Sequence, residues 1–110
     1  MERRQFPRVI VHLPAVFRSA SHTVDTYVCN ISQHGLGLLG EMDLSPDELG
    51  IDVEIALTLP GQSEGVIFEG QLIWCARSSL GSGLGVRFHR LQRATRLALA
   101  NFLIARCSGA

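Results

Sequence analysis

At 110 residues and 46% apolar content, the chain has the size of one domain with a single hydrophobic core, and it is too apolar for a disordered segment. Its ten basic residues, all arginine, are balanced by ten acidic ones, which argues against the basic excess of a general DNA or RNA binder. No apolar run reaches the ~18 residues of a membrane span, so direct membrane insertion is not expected. The N-terminus also lacks the basic-then-apolar order of a signal peptide, because Val9–Val11 is cut off by His12 and Pro14, and the expected location is cytoplasmic.

Three arginines, Arg3, Arg4 and Arg8, stand at the start, with Pro7 before the last. Residues 8–19 then read as a strand rich in β-branched and aromatic residues, with a bulge or edge position at Pro14. Residues 22–32 alternate and predict a second strand, and GLGLLG (35–40) a third. MDLSPDELG reads as a connection with one helical turn at SPDE. IDVEIALTLP alternates as a half-buried strand, and GQSEG is turn chemistry. VIFEGQLIWCAR predicts another strand in which Gly70 allows a bulge or bend, and LGVRFHRL completes the set.

Residues 91–106 contain no Gly or Pro and predict a terminal helix, with Leu91, Thr95, Ala98, Phe102 and Ala105 on one face. Leu97, Leu99, Leu103 and Ile104 are expected off that face, with Arg93 and Arg96 roughly opposite it. Six short strands and one helix predict a mainly β chain, a small antiparallel barrel or curled sheet. The surplus apolar surface of the helix predicts contact with a second subunit or a partner protein. Cys29 and Cys75 read as small buried hydrophobes, since the three widely spaced cysteines fit neither a zinc site nor a disulfide framework, and the histidines show no metal-ligand spacing.

Two stretches carry chemistry. In Arg4-Gln5-Phe6-Pro7-Arg8, Pro7 disfavours helix at Phe6, so the two arginines can stand up to ~13–14 Å apart on an extended segment. A guanidinium grips phosphate, or the Hoogsteen edge of guanine, through two hydrogen bonds. In Asn30-Ile31-Ser32-Gln33-His34-Gly35, an amide and a hydroxyl two residues apart project together if the strand continues, and Gly35 lets a ligand approach the backbone. Taken singly, the first also reads as a solvated basic terminus and the second as an Asx or Ser-type turn.

In this order and strand context, RxxxR (Arg4–Arg8) and NxSxxG (Asn30–Gly35) resemble the signature of the PilZ domain family, with EGQLIW and GLGVRF as weaker matches. The resemblance implies a six-stranded β-barrel with a C-terminal helix that binds cyclic di-GMP, a bacterial second messenger. It implies that residues 1–8 form a flexible loop ahead of a barrel domain, 9–110, with its helix at about 91–106. Arg4 and Arg8 would hold guanine edges and phosphates, Asn30 and Ser32 would contact a guanine, and Gly35 would shape the turn. Arg3 and Trp74 are additional candidates.

The resulting expectation is a receptor without cofactor or metal. It would signal by ordering its N-terminal loop around the ligand and engaging a protein effector. The rival within the family is a ligand-independent interaction adaptor. An enzymatic reading would have to use Ser32, His34 and Asp25 or His22, but no nucleophile elbow or paired acid/base motif accompanies them.

Overall fold

The computed structural model describes residues 8–42, 44, 46–78 and 81–108. The expected loop 1–8 therefore lies, except for Arg8, outside the described residues. In chain order the elements are β1 (Val9–Arg18), β2 (Thr23–Ile31), β3 (Gly35–Gly40), a 3-10 turn (Pro46–Glu48), β4 (Asp52–Leu57), β5 (Val66–Ser78), β6 (Gly81–Phe88) and α1 (Arg93–Ser108). All strand pairings are antiparallel, and the order β1-β2-β3-β6-β5-β4 closes into a barrel. Closure is made by three residue pairs, Val16↔Ala56, Phe17↔Ile55 and Arg18↔Glu54.

Alternation along each strand sends one set of side chains inward. Phe17, Val28, Ile31, Leu38, Ile55, Phe68, Leu72, Leu84 and Val86 fill the barrel and are fully or almost fully buried. Each such side chain contributes about 1.5–3 kcal/mol by leaving water. Phe88 stacks on Phe68 at 5.0 Å between ring centroids, and α1 closes over the barrel with Ala98, Leu99 and Phe102. The β4–β5 connection turns at Leu59-Pro60-Gly61-Gln62, where Gly61 has φ 86° and Gln62 N donates to Leu59 O at 3.0 Å. Proline second and a positive-φ glycine third are what a type II turn requires.

Several details depart from the sequence reading. The irregularity in β1 lies between Ile10 and Leu13, ahead of Pro14, which pairs in register with Tyr27. Gly70 is not a bulge: it pairs with both Val53 and Phe88, and a Cβ there would stand 2.3 Å from Arg87 O, so it serves close strand approach. β6 begins earlier, at Gly81, and α1 begins two residues later than Leu91. Leu99 belongs to the buried face of α1, while Ala105 is exposed. Cys29 and Cys75 are half-buried free thiols rather than core residues.

One buried polar contact tests the sheet directly. Thr26 is buried and its hydroxyl donates to Leu39 O at 3.0 Å, tying β2 to β3. Thr26→Val keeps the shape and removes the donor. The expected loss is about 1 kcal/mol, read as a lower urea midpoint at unchanged m-value.

Candidate functional site

Two bulges decide what faces outward. In β2, Thr26 and Val28 point into the barrel, and strict alternation would send Asn30 after them. The register shifts between Val28 and Asn30, so Asn30 pairs with Gly37 on the outer face while Ile31 returns to the core. In β5, Phe68, Gly70 and Leu72 are buried, and Trp74 would follow them. A second shift between Leu72 and Trp74 turns the indole outward, where it is 52% exposed and pairs with Gly85. An extra residue in one strand re-aims the side chains after it, and both bulges act toward the same side of the barrel.

Between them runs a floor of glycines, Gly35 and Gly37 of β3 against Gly83 and Gly85 of β6. Trp74 lies across it: a Cβ on Gly83 would stand 3.2 Å from Cη2 and Cζ3 of the indole, and one on Gly85 3.5 Å from Cγ. The Asn30 amide folds over Gly37, where a Cβ would approach Nδ2 to 2.6 Å. Arg8, at the mouth of β1, donates from Nη1 to Asn30 Oδ1 at 3.3 Å. The resulting pocket of about 350 Å3 brings together Arg8, Asn30, Ser32, Gly35 and Trp74. Arg3 and Arg4 lie outside the described residues.

Ser32 is present in another role than a free hydroxyl. It is buried at the turn after β2, where its hydroxyl donates to Gly35 O at 3.4 Å and accepts from His34 N at 3.2 Å. Ser32 N also donates to Gly35 O at 2.8 Å. The residue thus holds the turn that carries Gly35, as a Ser-type turn does. Its contact to His34 is to the backbone N–H rather than to the imidazole, so Ser32 and His34 do not form a nucleophile–base pair through that bond. Among the described residues there is no group of three His, Cys, Asp or Glu side chains able to hold a metal ion.

Sequence reasoning missed Arg87. It follows Gly83 and Gly85 at two-residue spacing on the outer face of β6, pairs with Gly35 and with Gln71, and lines the same pocket. Its only sequence signal was that period of two in GLGVRF. Among the described residues no Asp or Glu lines the pocket, and neither Arg8 nor Arg87 has a carboxylate partner. The site therefore combines guanidinium groups with an indole and a flat backbone surface. That arrangement suits a planar, anionic ligand.

Comparison with known proteins agrees with this fold. The PilZ domain family profile matches residues 2–105. Among solved structures, the inhibitor of motility MotI (DgrA) of Bacillus subtilis superposes with a TM-score of 0.81 at 18% identity, over 99% of this chain and 53% of that one. The chain thus spans about half the length of MotI. The PilZ domain of YcgR from Escherichia coli, solved with c-di-GMP, gives 0.72 at 18% identity over 94% of this chain and 91% of that one. The PilZ domain of CeSA from a cellulose-synthesizing bacterium gives 0.68 at 17% identity over 91% and 97%. Curated protein sequences give no match. With Arg8, Asn30, Ser32 and Gly35 lining one pocket of a closed six-stranded barrel and the family profile running nearly end to end, this chain belongs to the PilZ domain family.

Proposed function

We propose that the chain is a receptor for cyclic di-GMP that acts by binding rather than by catalysis. The observation that carries the reading is the convergence of Arg8, Asn30 and Trp74 on one glycine-floored pocket, the last two turned outward by bulges in β2 and β5. Arg8 supplies the charged fork for a phosphate or for guanine O6 and N7. The Asn30 amide offers a donor and an acceptor to a base edge, and Gly35 leaves room for the ligand against the backbone. Ser32 contributes through the turn it holds. Trp74 supplies a stacking face, and Arg87 a second cation on the opposite wall.

Arg4 is assigned to the same ligand by the motif, with Arg3 beside it as an additional phosphate contact outside the motif. Closing of that segment over the dinucleotide would create a new surface for an effector protein. Solved c-di-GMP complexes among the neighbours, such as those of YcgR, PlzA and MrkH, support the choice of ligand. Calorimetric titration of the folded protein with cyclic di-GMP is the test. Binding in the micromolar range or tighter is expected, and no heat at micromolar ligand would favour the ligand-independent adaptor.

Trp74 gives a check independent of charge. Its indole is half exposed and rests on glycines, so Trp74→Ala leaves the core intact. Loss of one stacked base costs about 1–2 kcal/mol, a 5- to 30-fold weaker affinity. The quenching of the single tryptophan's fluorescence by added cyclic di-GMP is expected in the parent chain; unchanged emission at saturation would remove Trp74 from the site.

A further inference from the structure

Outside the pocket, α1 carries charge against its own interest. Arg93 and Arg96 stand in its first turn, where the positive end of the helix dipole disfavours cations, and residues 93–108 contain no Asp or Glu. Neither arginine has a carboxylate partner among the described residues. They flank an apolar ridge on the solvent side of the helix, where Leu97 is 53% and Ile104 65% exposed, with Ala100 between them at helical spacing.

A complementary surface lies on the other flank of the same helix. There a groove of about 410 Å3 between α1 and the β4–β5 hairpin is rimmed by Glu54, Glu64 and Glu69, with Ile67, 44% exposed, at its centre. Glu54 and Glu69 are direct cross-strand partners, an unfavourable like-charge pair. Among the described residues Glu54 alone is offset, by Arg18 at 3.6 Å. The groove shares no lining residue with the Arg8–Trp74 pocket.

We propose that the arginine-flanked ridge of α1 docks in the acidic groove of a second copy of this chain, head to tail. Leu97 meets Ile67, and Arg93 and Arg96 meet Glu64 and Glu69, so each surface relieves the repulsion built into the other. A symmetric helix-to-helix dimer is disfavoured by the same charges, because residues 93–108 contain no Asp or Glu to meet Arg93 and Arg96 of the other copy. The contact is heterologous: in each pair one copy keeps its groove free and the other its ridge, and assembly continues until a ring closes or a chain grows. It is independent of any ligand at the Arg8–Trp74 pocket.

Sedimentation velocity over a concentration series at low salt is expected to show the mean mass of the parent chain rising at least twofold. At about 0.5 M salt, where charge attraction is screened within a few ångströms, it should fall back to the monomer. Two charge-reversed variants give the decisive arm. Arg93→Glu with Arg96→Glu removes the ridge's charge, and Glu64→Arg with Glu69→Arg removes that of the groove. Each is expected to be monomeric alone, with a folded circular dichroism spectrum. An equimolar mixture should restore assembly with the two variants alternating, because the reversed ridge of one meets the reversed groove of the other just as the intact ridge meets the intact groove. Leu97→Ser should weaken association of the parent chain at least tenfold without changing charge. A parent chain that stays monomeric at low salt, or a mixture that stays monomeric, overturns the proposal and leaves the ridge to an acidic partner of another kind. So does association that survives in either reversed variant alone.

Discussion

Arg8→Ala is expected to weaken cyclic di-GMP binding by about 10- to 100-fold, the loss of roughly 1.5–3 kcal/mol for hydrogen bonds to a charged group. The fold should not notice. Arg8 is exposed and precedes the first pair of β1, and among the described residues its side chain bonds to the half-buried Asn30 at 3.3 Å, where water can replace it. Urea unfolding of the variant should therefore overlay the parent curve while calorimetry shows the weakened affinity. Arg8→Lys separates charge from shape. Lysine keeps the cation but not the planar fork, so it should recover part of the affinity and leave a salt dependence close to that of the parent. An Arg8→Ala variant that binds as tightly as the parent would place the ligand elsewhere on the barrel.

Much of this site was legible before any fold was known, and the reason is local. Strand periodicity, the helix formers after residue 91 and the RxxxR and NxSxxG spacings all sit within short windows, and the fold keeps Arg8, Asn30, Ser32 and Gly35 together as the motifs imply. What escaped was set by partners distant in sequence. The bulges at Cys29 and Ile73 exist only relative to β3 and β6, so no period within β2 or β5 announces that Asn30 and Trp74 turn outward. Bulges were sought where Pro14 and Gly70 suggested them, and neither residue makes one. Arg87 was hidden for the same reason. Its value comes from Gly35 across one strand gap, and its nearest companions in sequence, Arg90, Arg93 and Arg96, lie outside the pocket. In α1, a core-facing stripe is broader than the set centred on Thr95 and Ala98, and it takes in Leu99.

Gly35→Ala and Gly37→Ala, two residues apart on one strand, are expected to fail in opposite ways. At Gly35 an added Cβ would stand 2.3 Å from Val86 O and 3.3 Å from Arg87 Cα, both backbone atoms of a paired strand. Backbone in a closed barrel has nowhere to go, so β3 and β6 must separate locally. The cost is that of an overpacked core, about 3 kcal/mol. The turn held by Ser32 loses its geometry as well, because Gly35 O accepts both the Ser32 N–H and the Ser32 hydroxyl. Stability and ligand affinity should fall together.

At Gly37 the atoms nearest the added methyl all belong to the Asn30 side chain, with Nδ2 at 2.6 Å. An amide at the end of a rotatable chain can swing aside at a cost of about 1 kcal/mol or less. In doing so it leaves the Arg8 guanidinium and the floor beside Trp74. Gly37→Ala should thus unfold within about 1 kcal/mol of the parent yet bind cyclic di-GMP about tenfold more weakly. Pairing thermal unfolding with titration for both variants reads the two effects separately. If Gly37→Ala keeps full affinity, the pose of Asn30 over the glycine floor is dispensable; if Gly35→Ala keeps full stability, the barrel yields where the strand pairing says it should not.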